Sequence, residues 1–271
     1  MKSTQRIICF ALTFASFAAF AQNHDVRPVD KFSKIGNSSS GDVYVKQGSP
    51  QRVELVGKKE IVANVETTVS NGKLTIQERS QHWLWSNDSN FKIYVTVEHL
   101  DAIEISGSGD LTTQNKLTGT NFDLTLTGSG DVAAEMELSG ELNADVAGSG
   151  DINLKGKFQS LKSHVRGSGD IDLAAVVTNS AEFAISGSGE IKASGKAPIM
   201  EASISGSGNL DARDFETDQC KIRVSGSGDA QIYAKTGLDA RTSGSGDISY
   251  RGNPVKVSTH NSGSGSVSRI Q

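Results

Sequence analysis

Ile103-Glu104-Ile105-Ser106-Gly107-Ser108-Gly109-Asp110 is followed 21 residues later by Leu124-Thr125-Leu126-Thr127-Gly128-Ser129-Gly130-Asp131, and the pattern returns to the end of the chain. Gly-Ser-Gly begins at Gly107, Gly128, Gly148, Gly167, Gly187, Gly206, Gly226, Gly244 and Gly263, in steps of 18 to 21 residues. The second glycines are Gly109, Gly130, Gly150, Gly169, Gly189, Gly208, Gly228, Gly246 and Gly265. A fixed period near twenty is the mark of a repeat architecture in which each unit makes one turn of a coil. Glycines are expected there because a tight turn calls on residues that tolerate positive φ.

Working outward, apolar residues recur in register. Two before each first glycine stand Ile105, Leu126, Val146, Val165, Ile185, Ile204, Val224, Thr242 and Asn261; four before stand Ile103, Leu124, Ala144, Ser163, Phe183, Ala202, Ile222, Ala240 and Thr259. Four after come Leu111, Val132, Ile152, Ile171, Ile191, Leu210, Ala230, Ile248 and Val267. This alternation predicts half-buried strands on both sides of every turn, with these columns facing inward. A lone two-stranded unit cannot hide its apolar side in water, whereas stacked coils extend one core. A triangular left-handed coil needs a six-residue subperiod, and none is present; an antiparallel meander does not demand nine identical turns. The expectation is an all-β chain, a right-handed parallel β-helix or flattened two-sheet β-solenoid with about 19–20 residues per coil. Polar Thr242, Thr259 and Asn261 in inward columns predict a last pair of coils that is frayed, poorly packed or capped by a partner.

Upstream, Ser40-Gly41-Asp42 before Val43-Tyr44-Val45 reads as a degenerate first copy of the turn. Asn71-Gly72 between Val65–Val69 and Leu74-Thr75-Ile76 predicts a β-hairpin, since both residues accept positive φ. Trp83 and Trp85 alternate, so in a strand they share one face; they read as an aromatic plug over the end of the stack or, exposed, as a contact for sugar or a partner. Residues 1–21 have the layout of a cleaved signal peptide: Lys2 and Arg6, an apolar run from Ile7 to Phe20, and Ala19-Phe20-Ala21 before a mature start at Gln22. The expected division is 1–21 signal, 22–99 an N-terminal β region continuous with or capping the solenoid, and 100–271 the repeats. Cys9 lies inside the apolar run, which argues against a lipid anchor, and no run reaches the roughly 20 apolar residues of a membrane helix.

The chain carries a formal charge of −4, and −6 once Lys2 and Arg6 are removed, so nucleic acid is not an expected partner. The column after each turn, Asp110, Asp131, Asp151, Asp170, Glu190, Asn209, Asp229, Asp247 and Ser266, invites a calcium reading. Calcium β-rolls, however, repeat every nine residues with an acid in each half-coil, and here one acid appears per coil. The column is expected to face water and to cap the turn by accepting backbone N–H groups, with weak cation binding or a catalytic acid pair as the lesser alternatives.

His24, His82, His99, His164 and His260 share no metal-ligand spacing with Cys220 or one another, so no metal site and no cofactor are predicted. Nine copies of Ser-Gly-Ser-Gly are structural rather than a nucleophile elbow, and the returns are too short to wall a lyase cleft. No catalytic residue is assigned. Lys155, Lys157, Lys162, His164 and Arg166 read as one local basic patch, either a solvated face or a contact for acidic glycan. Cys220 falls in the inward phase of its strand and is expected to be a buried, inert thiol.

The stretch Ile103 to Asp110, its repeats, and Gly41-Asp42-Val43-Tyr44-Val45-Lys46-Gln47-Gly48 resemble the putative auto-transporter adhesin, head GIN domain family, from about Phe32 onward. The resemblance implies a two-sheet superhelix related to pectin-lyase-like folds, with Gly-Ser-Gly turning between sheets and no recognised catalytic residues. No membrane barrel follows the repeats, so self-anchored display is not expected. The functional expectation is an exported, non-catalytic β-solenoid, in the periplasm, at the cell surface or outside the cell. It would bind envelope or extracellular glycan or protein, with association between copies open to it; a carbohydrate-active enzyme and a calcium-stabilised module are the rival classes.

Overall fold

The computed structural model, which describes residues 23–79 and 90–270, turns the alternating sequence into stacked strands that reverse direction at each Gly-Ser-Gly. In chain order these are β1 (Asn23–Arg27), β2 (Lys34–Asn37), β3 (Asp42–Gln47), β4 (Arg52–Gly57), the short helix α1 (Lys59–Asn64), β5 (Val65–Ser70), β6 (Lys73–Glu78) and β7 (Lys92–Val97). They continue as β8 (Ala102–Ile105), β9 (Leu111–Thr113), β10 (Leu117–Gly119), β11 (Phe122–Leu126), β12 (Val132–Leu138) and β13 (Glu141–Val146). The long strands follow: β14 (Ile152–Val165), β15 (Ile171–Ile185), β16 (Glu190–Ile204), β17 (Asn209–Val224) and β18 (Ala230–Thr242), then β19 (Ile248–Arg251), β20 (Lys256–Asn261) and β21 (Val267–Arg269).

Two faces result. The strands that enter the turns stack as β6, β2, β8, β11, β13, the second halves of β14 to β18, and β20, all parallel, with β5 added antiparallel to β6. The strands that leave the turns stack in parallel as β7, β3, β9, β12, the first halves of β14 to β18, β19 and β21. Antiparallel β4 and β1 extend this second face beyond β7. We call these the pre-turn and post-turn faces. The chain is therefore a β-solenoid of about 8 turns, as the repeat predicts.

Register explains the core. Ile105 lies beside Leu126, Leu126 beside Val146, and Val146 beside Val165, so each inward column is a continuous apolar row. The predicted columns are buried from Ile103 through Ile248, and Phe122, Phe158, Phe183 and Phe215 fill the interior between faces. Each fully buried Val, Leu or Ile adds about 1.5–3 kcal/mol of transfer free energy, and every coil contributes several. The expectation of poor packing in the last two coils divides: Thr242 is buried, its hydroxyl donating to the Gly246 carbonyl at 3.0 Å, whereas in the ninth coil, where β20 pairs with β18 and β21 with β19, Thr259 and Asn261 are exposed and Val267 is only half-buried. They have a coil on one side only, so burial stops although hydrogen bonding continues.

The turns overturn one expectation. None of the Gly-Ser-Gly glycines has positive φ; among the described glycines only Gly72, Gly195 and Gly252 do. Glycine is required for close approach instead. A Cβ on Gly148 would overlap the carbonyl oxygen of Gly128, one on Gly167 that of Gly148, and so on along the stack, always toward the preceding coil. The coils sit so close because the central serine N–H donates to that same carbonyl, as from Ser149 to Gly128 at 3.1 Å and from Ser168 to Gly148 at 3.1 Å. In the first copy, Ser39 occupies the place of the first glycine: Gly107 stacks upon it, and Ser39 itself carries a side chain, bonded through its hydroxyl to Asn37 at 2.7 Å.

Elsewhere the local readings hold. Asn71 (φ 51) and Gly72 (φ 73) turn the antiparallel β5–β6 hairpin, in which Ser70 opposes Lys73. Helix α1 was not signalled by the strand pattern; it buries Ile61 and Val62, and the Arg27 guanidinium donates to the Val62 carbonyl at 2.7 Å.

Candidate functional site

The acid column is a ladder built by the turns. Each coil places its carboxylate directly after Gly-Ser-Gly, and the side chain accepts the backbone N–H of the acid in the following coil. Asp110 accepts from Asp131 at 2.8 Å, Asp131 from Asp151 at 2.9 Å, Asp151 from Asp170 at 2.8 Å and Asp170 from Glu190 at 2.7 Å. After a gap, Asn209 accepts from Asp229 at 2.9 Å and Asp229 from Asp247 at 2.8 Å. The expected capping role is thus present, but between coils rather than within a single turn.

The gap has a chemical cause. Glu190 is one methylene longer than Asp, no rung runs from its side chain to Asn209, and the Asn209 N–H turns to the Gly189 carbonyl at 3.3 Å. The ladder also has an end: at Ser266 the hydroxyl folds back to donate to Asp247 at 2.9 Å. Because one carboxylate oxygen (Oδ1) takes the backbone N–H, the other oxygen remains available on a side chain that cannot swing away. Exposed carboxylates one strand spacing apart repel by roughly 0.9 kcal/mol in water, which a charge-assisted hydrogen bond of about 1.5–3 kcal/mol exceeds.

Alongside this ladder, on the post-turn face, runs a groove of about 430 Å³. Its rail is Asp110, Asp131, Asp151, Asp170 and Glu190, and its outward floor is the in-register row Thr112, Ala133, Asn153, Asp172 and Lys192. The floor is low at Thr112 and Ala133 because their side chains are short. Toward the N-terminus the same row continues into Tyr44 and then Tyr94, since Tyr44 is in register with Thr112 and with Tyr94. Their rings stack with centroids 5.2 Å apart, and the Lys92 ammonium lies 5.5 Å from the Tyr44 centroid. Tyr44 therefore lies beside Thr112, one strand beyond the residues that line the groove. At the other end, the Arg213 guanidinium bonds Asp211 at 2.7 and 2.8 Å and holds its carboxyl below the usual carboxylate range, against a smaller upward push from burial.

The tyrosine pair was missed in the sequence, although its signal was there: Val43-Tyr44-Val45 and Ile93-Tyr94-Val95 each put the ring in the outward phase. Trp83 and Trp85, the predicted aromatic contact, lie outside the described residues, as does the predicted signal segment. The predicted single basic patch is divided by the fold. Lys155 and Lys157 belong to the post-turn half of β14, Lys162 and His164 to its pre-turn half, and Lys162 and Arg166 are paired with Glu141 and Asp145 at 3.0 and 2.8 Å. A strand that crosses both faces cannot hold those five side chains on one surface. Cys220 is buried as expected, and burial pushes its thiol up to about 12.

Among the described residues, no three His, Cys, Asp or Glu side chains converge to hold a metal ion, and no helix is long and apolar enough to cross a membrane. The ladder oxygens are spaced along a line rather than gathered around a point, so they do not build a calcium cage.

A family model described as putative auto-transporter adhesin, head GIN domain, matches residues 31–190 and again 158–254. The chain belongs to that family. Solved structures similar to this adhesin-family chain include a putative adhesin from Parabacteroides distasonis ATCC 8503, at 22% identity, covering 92% of this chain and 97% of that one with a TM-score of 0.70. A putative lipid binding protein from the same organism has 24% identity, coverage of 93% and 98%, and a TM-score of 0.68. A putative adhesin from Parabacteroides merdae ATCC 43184 has 18% identity, coverage of 93% and 98%, and a TM-score of 0.61. At these identities the likeness is one of fold. No curated protein matches the sequence.

Proposed function

We propose that this adhesin-family chain is an exported, non-catalytic binding module whose post-turn groove holds an extended, hydroxyl-rich chain, a glycan of the envelope or the extracellular space. The observation that carries this reading is the continuity of the groove: pre-oriented carboxylates along one side, a floor that is low at Thr112 and Ala133, and the Tyr44 ring in the same row one strand beyond its end. Sugar hydroxyls donate to fixed carboxylate oxygens, and the apolar C–H face of a pyranose packs against an aromatic ring. Rails that repeat with the strands suit a polymer better than a compact metabolite, and a rigid ladder loses little freedom on binding.

The family supports adhesion or binding as the role, and a surface or extracellular setting. The rival of a carbohydrate-active enzyme needs an acid whose proton affinity is raised beside a second carboxylate across the sugar; the ladder instead offers carboxylates in one row on one side. A glycan array probed with the chain from Gln22, followed by product analysis on every hit, tests the proposal. Binding that is lost in Tyr44→Ala and weakened in Asp131→Asn, with the sugar recovered intact, supports it. Cleaved sugar overturns the non-catalytic reading, and binding indifferent to both substitutions overturns the groove.

A further inference from the structure

The pre-turn face carries a second arrangement that the groove does not use. In-register neighbours on this face can offset one another: Lys162 lies beside Glu182, and Lys221 lies beside Glu201, which it meets at 3.6 Å. Near the C-terminal end the pattern breaks. Arg223 lies directly beside Arg241, with His260 next in the same row, and Glu182 lies directly beside Glu201 in the adjoining row. Like charges opposed in register destabilise a sheet, and here the glutamate pair is bracketed by Lys162 and Lys221 while Arg241 is held by Asp239, so Arg223, between Ser203 and Arg241, is the charge the fold leaves without an opposite neighbour.

Between the two like-charged pairs is a hollow of about 200 Å³ whose charged lining is Glu182, Glu201, Lys221, Arg223 and Arg241, with Ser203 in register with Arg223. Arg241 is fixed by Asp239 through two bonds of 3.2 Å. The exposed Arg223 guanidinium has no hydrogen-bond or ion-pair partner among the described residues.

We infer that this hollow is a second binding site, on the face opposite the groove, for an acidic sugar unit. The sugar's carboxylate is received by the Arg223 fork and the neighbouring Arg241, and its hydroxyls by the two glutamates and Ser203. The acidic pair selects the occupant. A guanidinium pair alone fits any anion, but carboxylates at its side repel an anionic membrane surface or a polyphosphate while accepting hydrogen bonds from hydroxyl groups. A ligand that is anionic at one edge and hydroxylated at the other satisfies both halves. Guanidinium binds a carboxylate through two parallel N–H donors, so lysine is not equivalent at position 223.

The test is titration calorimetry of the chain from Gln22 with a single galacturonic acid unit as its methyl glycoside, the methyl ester of that sugar, and vesicles containing phosphatidylserine. The expected result is binding of the free acid, at least tenfold weaker in Arg223→Gln and only partly restored in Arg223→Lys, with no binding of the ester or the vesicles. Unfolding curves of the variants matching wild type keep a loss of binding from being a loss of fold, since Arg223 supports no other side chain. Equal affinity for acid and ester, vesicle binding that matches the acid, no binding of the acid, or an Arg223→Gln variant that binds as wild type would each overturn the site. Dependence on Arg223, which lies on the pre-turn face, separates this hollow from the groove.

Discussion

Asp131 accepts the backbone N–H of Asp151 through Oδ1 at 2.9 Å, across the gap between two coils. The bond does at the turn what a backbone carbonyl does in the strands, because the next donor in the ladder, the Val132 N–H, points the other way, to the Asp151 carbonyl at 2.8 Å.

A replacement that keeps an acceptor should therefore be silent, and one that deletes it should not. Asp131→Asn is expected within about 0.5 kcal/mol of wild type, as native Asn209 holds the same bond to Asp229 at 2.9 Å. Asp131→Ala is expected to lose about 1 kcal/mol, the net worth of one partly solvated hydrogen bond. Urea unfolding of the two variants decides it; equal midpoints would mean the rung is ornamental.

The stack separates glycine's two uses. Gly148→Ala drives a methyl group into the Gly128 carbonyl and parts two coils that share the 3.1 Å bond from Ser149. The expected loss is about 3 kcal/mol or more, at the upper end of overpacking. Gly119→Ala is the control, because there a Cβ meets only side-chain atoms at ordinary distances, Leu138 at 3.6 Å and His99 at 4.0 Å. It is expected to change stability by less than about 0.5 kcal/mol. Comparable melting temperatures for the two variants would refute close approach as the reason for the turn glycines.

The spacing of Gly107 through Gly263 and the alternation around it were enough to read the solenoid, its inward columns and its turn positions. The reason for the glycines was not legible, since positive φ and a carbonyl overhead both select against a side chain, and only coordinates separate them. Ser39 carried the hint: the position tolerates a side chain in the first coil. The site was harder. Asp110 and its successors were visible as a column, but Thr112, Ala133 and Tyr44 become one row only when strands far apart in sequence are laid in register. Arg223 and Arg241 are eighteen residues apart and unremarkable until the coils are stacked.

Ser163 is a polar flaw in the inward column. It is fully buried, its hydroxyl oxygen has no partner, and it lies in register between Ala144 and Phe183. Removing the hydroxyl relieves an unmet hydrogen bond, whereas Ala144 shows that a methyl group packs in this row. Ser163→Ala is expected to stabilise the chain by about 1 kcal/mol, a rise of roughly 2–4 °C in melting temperature. A fall would show that the hydroxyl finds a partner in solution, such as a buried water.

Cys220 gives the alkaline limit of stability a testable cause. Its thiol is buried, and desolvation holds its proton up to about 12, against 9.0 for the free group. The folded chain keeps a proton that the unfolded chain gives up, so this contribution is complete below about pH 9 and is lost as the pH climbs toward 12. Over that window one bound proton weakens folding by about 1.4 kcal/mol per pH unit. Lysines titrate in the same range, so the measurement is a difference: the stability of wild type minus that of Cys220→Ala should be flat from pH 6 to 8 and decline above it. Native protein at pH 8 should also resist iodoacetamide and react only after unfolding, because alkylation needs an exposed thiolate. Rapid labelling of the native chain at pH 8 would place that sulfur at the surface, and with it the strand register that carries Arg223 three residues further on.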